Sequence, residues 1–181
     1  MNNSITLPEH IKKFIGLNPD EEKVIQKVTK TFHLRQSDFL LRKNQTCLSH
    51  YYVNSGCLRM YFLDEHSIEH ILQFAIEGWW ITDYNSLIRR HSSEYYIQAT
   101  EQSVVIELDK DSYGRLIKKI PKLGIYFNNI MQINLAAVQT KTKFLRTMSN
   151  EELYLHFSNS FPAFVDRVPK EMVESYLGIF A

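Results

Sequence analysis

The spacing of hydrophobic positions changes twice along this chain. In "LNPDEEKVIQKVTKTF", Val24, Ile25 and Val28 share one face at helical spacing. Asn18 can cap that helix, Pro19 suits its first position, and Glu21 stands at capping-box distance. "LPEHIKKFI" just before it predicts a shorter helix. From Asp38 to Leu108 the chain turns into short runs: "FLLRK", "HYYV", "CLRMYFL", "HILQFAI", "YYIQA" and "SVVIEL". They are rich in β-branched and aromatic residues and separated by polar breaks, which predicts an antiparallel sandwich or barrel. Asn54-Ser55-Gly56 predicts a tight turn, because Gly56 accepts a positive φ without Cβ strain. "LDEHSIEH" predicts a second hairpin connection.

Helical spacing returns at Asp111 and holds to Ile120, where Pro121 breaks it. "KLGIYFNNIMQINLAAVQTKTKFLRTM" then predicts one helix of about seven turns. It carries two apolar rows. One runs through Phe127, Met131, Leu135, Val138 and Leu145, the other through Ile130, Ile133, Ala137, Phe144 and Met148. One row suffices for a surface helix. Two predict that one packs on its own domain and the other on a partner, as in a coiled-coil dimer. The second row, Ile130 to Met148, is assigned to the dimer interface; a helix buried on both sides within one monomer is the alternative. Ser149 and Glu152 then make another capping box. In "RVPKEMVESYLGI", Pro169 opens a short helix, Val173, Tyr176 and Leu177 share a face, and Gly178 supplies the exit.

Composition adds limits. The chain has 181 residues, 44% hydrophobic, with a net charge of +1. That allows one or two domains with a true core and no global field for nucleic acid or anionic membrane. The first residues lack the cationic-then-apolar signal pattern, and no run reaches the roughly 20 apolar residues of a membrane span. Two cysteines, Cys47 and Cys57, are too few for a disulfide framework and match no zinc or iron–sulfur spacing. Buried free thiols and a reducing, cytoplasmic setting are expected.

The order of elements, with "DFLLRKNQTCLSHYYVNSGCLRMYFLD", "FAIEGWWITDYNSLI" and "RVPKEMVESYLGI", resembles the Crp/Fnr-like bacterial transcription regulators. The resemblance covers nearly the whole chain and rests on order and spacing rather than on one motif. It implies an α+β fold: an antiparallel, jelly-roll-like β-roll with amino-terminal helices, a long dimerisation helix and the start of a winged helix-turn-helix. The implied domains are an effector-sensing unit at 1–122, the dimerisation helix at 123–148 and a DNA-binding unit at 149–181. After "YLGI" the family places its recognition helix. Here Phe180 and Ala181 follow, so the helix-turn-helix is expected to be truncated as given. From Ser149 onward two cations face five acids, and Lys170 is the one residue assigned to DNA.

The family's nucleotide binders pair a glycine and an acid with an arginine for the cyclic phosphate. Thr82 stands at the glycine position and Asp83 at the longer acid's. Ser92, Ser93 and Glu94 stand where the arginine is expected, with Arg89 and Arg90 a few residues earlier. These departures argue against cyclic nucleotide. The ligand assignment is therefore Trp80, Thr82, Asp83, Tyr84, Arg89 and Arg90 around an unknown small effector. Other roles are open to the same residues: Asp83 as a helix cap, the two arginines as solvated charge, and one of Trp79 and Trp80 as core.

Competing readings are a metal-dependent cupin-like enzyme, on His66 and His70, and a dimeric sensor without DNA binding. The two histidines fall in a hairpin, where i,i+4 spacing loses its meaning, and no third ligand accompanies them. No nucleophile elbow, phosphate loop or zinc-protease pattern is present. The expectation is a non-enzymatic regulator without cofactor or metal. Its partners are a second copy, DNA where the full helix-turn-helix is present, and an unknown small effector, with no membrane.

Overall fold

The computed structural model describes residues 4–179. Two amino-terminal helices, α1 (Leu7–Lys12) and α2 (Pro19–Val28), lead into eight strands. These are β1 (Lys30–Leu34), β2 (Phe39–Leu41), β3 (Ser49–Ser55), β4 (Leu58–Leu63), β5 (Glu69–Ala75), β6 (Trp80–Ile81), β7 (Tyr96–Ala99) and β8 (Ser103–Asp109), with α3 (Tyr84–Arg89) between β6 and β7. Then come α4 (Lys110–Lys119), α5 (Leu123–Thr147), α6 (Asn150–Ser160), α7 (Pro162–Val165) and α8 (Lys170–Leu177). The strands form two antiparallel sheets, ordered β1-β8-β3-β6 and β2-β7-β4-β5. This is the antiparallel sandwich expected from the strand texture and the α+β jelly-roll that the resemblance implies.

The helix starts follow their capping signals. Thr6 with Glu9, Asn18 with Glu21, and Ser149 with Glu152 all form reciprocal capping boxes. One boundary differs from the sequence reading. Helix α2 stops at Val28, and Lys30–Leu34 pair with β8 from Lys30↔Glu107 to Leu34↔Ser103. Strand β1 takes its hydrogen bonds from a partner far along the chain, which local spacing cannot reveal. The turn after β3 needs Gly56 twice over. Its φ is +97°, and a Cβ there would lie 2.7 Å from the Ser103 Cα.

Alternation sorts the strand residues into three clusters. Tyr51, Leu58, Ile81, Ile97 and Val105 fill the space between the sheets. Their neighbours Tyr52 and Trp80 point outward and are covered by α1, α2, α4 and the first half of α5. On the opposite sheet Tyr61, Ile71 and Phe74 are covered by the second half of α5 with α6 to α8. Helix α5 thus packs against both halves of the molecule.

A hydrogen-bond chain fixes its first half. Trp80 Nε1 donates to the Tyr126 hydroxyl at 2.8 Å, and that hydroxyl lies 2.9 Å from His10 Nδ1. An indole N–H only donates and a phenol carries one proton. With the imidazole proton on Nε2, His10 Nδ1 accepts from the Tyr126 hydroxyl, the tautomer that gives this buried O–H a partner. Burial, with Lys13 adding to it, lowers the His10 pKa from the ordinary 6.5 to about 4, which suits a neutral acceptor.

Tyr126 is fully buried, so Tyr126→Phe leaves Trp80 Nε1 without its acceptor. It is expected to cost about 1–3 kcal/mol in urea unfolding, and an unchanged midpoint would show the chain to be dispensable. A second expectation concerns pH. His10 and His50 titrate near 4 when folded, below their ordinary 6.5, through burial first and a nearby lysine second. The unfolded chain takes up those protons first, so their contribution is intact above pH 6.5 and declines as pH falls toward 4. The double variant His10→Gln/His50→Gln should flatten the decline of the urea midpoint across that window.

Candidate functional site

The residues from Trp80 to Arg90 lie between β6 and α3, and the structure divides them. Ile81 and Leu87 enter the inter-sheet core, whereas Trp80 faces the opposite side, toward α5. Thr82 and Asp83 are both buried. The Thr82 hydroxyl donates to the Ser49 carbonyl at 2.8 Å and touches Cys47 Sγ at 3.3 Å. Asp83 caps α3, accepting from the Ser86 N–H at 3.1 Å, and its second oxygen accepts from the Ser93 hydroxyl at 2.7 Å. Ser86 in turn accepts from the Cys47 N–H at 2.9 Å and donates to the His91 carbonyl. Thr82, Asp83, Ser86 and Ser93 therefore form one buried polar knot whose oxygens are engaged with one another and with the backbone.

The arginines are placed apart from that knot. Arg89 and Arg90 are exposed. Arg90 ends α3 in the left-handed region, and its Nη2 lies 3.7 Å from Asp111. Tyr84 packs its ring near His50. Of the six residues assigned to an effector, Thr82 and Asp83 meet, Trp80 turns to another face, and the two cations reach solvent. Among the described residues the one buried cation is Arg59, on the outer face of the second sheet. There it is bonded to Glu69 and Gln98. Both cysteines are free and buried. His66 and His70 sit in the β4–β5 hairpin, where His70 Nε2 meets Asp64 at 2.8 Å. Among the described residues no three His, Cys, Asp or Glu side chains cluster to hold a metal.

The second assigned surface, on α5, is divided by the fold. Of Ile130, Ile133, Ala137, Phe144 and Met148, three are covered by the chain's own domains. Ile130 joins the cluster beneath α1 and α2, and Phe144 and Met148 join the one beneath α6 to α8. Ile133, at 54%, and Ala137 stay exposed, and of the other row Phe127 packs beside Trp80 while Met131, Leu135, Val138 and Leu145 are 46%, 59%, 61% and 44% exposed. The two rows were distinguishable by spacing, but which one meets the domain depends on the angle at which α5 leaves α4.

A third surface was not legible in the sequence. Helix α8 lies against β5, the edge strand of its sheet. Ser175 Oγ donates to the Glu69 carbonyl at 2.8 Å and accepts from the Ile71 N–H at 3.0 Å, so the helix satisfies two open backbone groups of that edge. Arg167, just before α8, forms a bidentate pair with Glu77, both contacts at 3.0 Å, and also bonds Glu101. Burial pushes the Glu77 carboxyl up, but the bonds from Arg167 and Gly56 outweigh it and hold the group below the usual carboxylate range. Lys170 is paired with Glu174 along α8 at 3.3 Å.

Comparison with known proteins places this geometry. Residues 31–120 match the cyclic nucleotide-binding domain family. No curated protein matches the chain. The catabolite activator protein of Thermus thermophilus is 17% identical with a TM-score of 0.60, covering 91% of this chain and 79% of its own. FixK2 from Bradyrhizobium japonicum is 15% identical, TM-score 0.70, covering 84% of this chain and 78% of its own. CLP of Xanthomonas campestris, described as a c-di-GMP-responsive global regulator, is 13% identical, TM-score 0.72, covering 90% and 86%. The fold of this chain is accordingly similar to that of these solved regulators, with the matched cyclic nucleotide-binding-type β-roll at its centre.

Arg167→Ala is expected to loosen α8 from β5 while leaving the β-roll folded. Amide exchange at Ile71, whose N–H bonds Ser175, should accelerate roughly tenfold or more for the loss of about one charge-assisted contact. Unchanged protection there would mean that apolar packing alone holds the helix in place.

Proposed function

We propose that this protein is a dimeric, non-enzymatic transcription regulator of the Crp/Fnr type that responds to a small effector other than a cyclic nucleotide. The observation that carries the reading is the open row on α5. Asn128, Met131, Leu135, Val138, Thr142 and Leu145 recur at alternating spacings of three and four, the seam of a two-stranded coiled coil. The seam runs along the helix that links the β-roll to the carboxyl-terminal helices. A second copy aligned along it would set the separation of two DNA-reading units, which must match half-sites about 34 Å apart. The implied setting is the cytoplasm; no helix among the described residues is long and apolar enough to cross a membrane.

The rejection of cyclic nucleotide rests on charge. A cyclic phosphate needs a cation held inside the roll, whereas Arg89 and Arg90 are exposed and Asp83 is engaged by Ser86 and Ser93. The carboxyl-terminal module, with Lys170 at its surface, is the part assigned to DNA.

Three experiments test the reading. Purified protein incubated with fragmented genomic DNA of its own source should recover fragments sharing a two-fold symmetric motif, with binding that falls steeply as salt rises. Random recovery would overturn the regulator. Sedimentation should give a dimer, and Leu135→Glu or Val138→Glu should make it monomeric. Neither cAMP nor cGMP should raise the melting temperature; a saturable rise would restore the nucleotide.

A further inference from the structure

An apolar cavity of about 270 Å³ lies where the β-roll, the long helix and the carboxyl-terminal helices meet. Phe74 of β5 forms one wall, Phe144 of α5 a second, and Phe157, Phe164 and Tyr176 of α6 to α8 a third. Its size is close to the lower end of small-molecule sites, about 300–1,000 Å³. The rings lie against one another at 4.8 Å between Phe74 and Phe164 and 5.7 Å between Phe157 and Tyr176, so the walls are aromatic faces and edges.

One charge faces this space. Lys141 is the only lysine or arginine in the lining. It is half-buried, and its Nζ lies 3.5 Å from the centre of the Tyr176 ring. Arg59 and Arg167, the other cations held against the second sheet, each have a carboxylate. Among the described residues Lys141 has none within ion-pair distance. An ammonium removed from water without a counter-charge is costly, and burial pulls this one down to about 8. The arrangement has aromatic walls, one unpaired cation and room for a small molecule.

We propose that this cavity binds a small aromatic carboxylate, its ring among the phenylalanines and its carboxylate on Lys141 Nζ. One cation matches one negative charge. A dianion would leave a charge desolvated, and a neutral ligand would leave Lys141 unpaired. The site lies apart from the knot around Asp83 and goes beyond the regulatory reading, since it does not rest on DNA binding. Its occupant would touch β5, α5, α6 and α8 together, and Ser175 also ties α8 to β5.

The test is calorimetric titration of the purified protein with benzoate and naphthalene-1-carboxylate, with naphthalene-1-carboxamide as the neutral counterpart. Saturable one-site binding of a carboxylate is expected, with the carboxamide weaker by roughly tenfold, the worth of about one charge-assisted bond. Lys141→Met, folded by circular dichroism, should erase that preference, and Ala137→Phe, which fills the cavity wall, should abolish binding of both. Trp79 lines the same cavity and Trp80 does not, so tryptophan quenching should vanish in Trp79→Phe. Absence of saturable binding by either carboxylate, equal affinity for the carboxamide, or a preference that survives Lys141→Met would each overturn the site. The regulatory reading would survive those results, since it is tested by DNA recovery.

Discussion

The structure depends on helix α5 being held by two bodies at once. Its first half is fixed by the hydroxyl of Tyr126, which accepts from Trp80 on β6 and donates to His10 on α1. A buried phenol that both donates and accepts leaves neither neighbour unsatisfied, so three elements share one orientation. That bond chain, with Ile130 and Leu123 buried beside it, determines which side of the helix is used up. Everything further along α5 follows from this rotation. Phe144 and Lys141 turn toward α6 and α8, and the row from Met131 to Leu145 turns outward.

The carboxyl-terminal helices are attached by a different kind of contact. Helix α8 covers the edge of β5 through Ser175 and is tied to the loops of the roll through Arg167, Glu77 and Glu101. These are polar, directional bonds at the rim of an aromatic cleft. Such an interface has discrete arrangements rather than a continuum, because an ion pair broken at partly buried carboxylates must be replaced or solvated. The long helix, the edge strand and the carboxyl-terminal helices are therefore mechanically linked.

The polar atoms around Asp83 are engaged within the fold. A glycine–acid pair leaves backbone and carboxylate free to meet a ligand. With Thr82 and Asp83 in those places, the hydroxyl turns back to Ser49 and the carboxylate caps α3. Ser93, near the position expected for a phosphate-binding arginine, donates to Asp83 instead. These polar atoms serve the fold.

Much of the fold was legible in the residues. Capping boxes at Asn18 and Ser149, the strand runs, the Gly56 turn and the Gly178 exit are encoded within a few positions, because backbone satisfaction at turns and helix ends is local. The existence of two apolar rows on α5 was equally plain. Which row would be open was not, nor was the strand at Lys30–Leu34, nor which of two adjacent tryptophans would reach the core and which the cleft. Lys141 and Tyr176 are far apart in the chain and carry no shared motif, Ser175 finds its partners on a distant strand, and Arg167 finds its own in distant loops. The sequence determined the elements and their order. Only the tertiary structure decided faces and neighbours, since these depend on how elements far apart in the chain pack against one another.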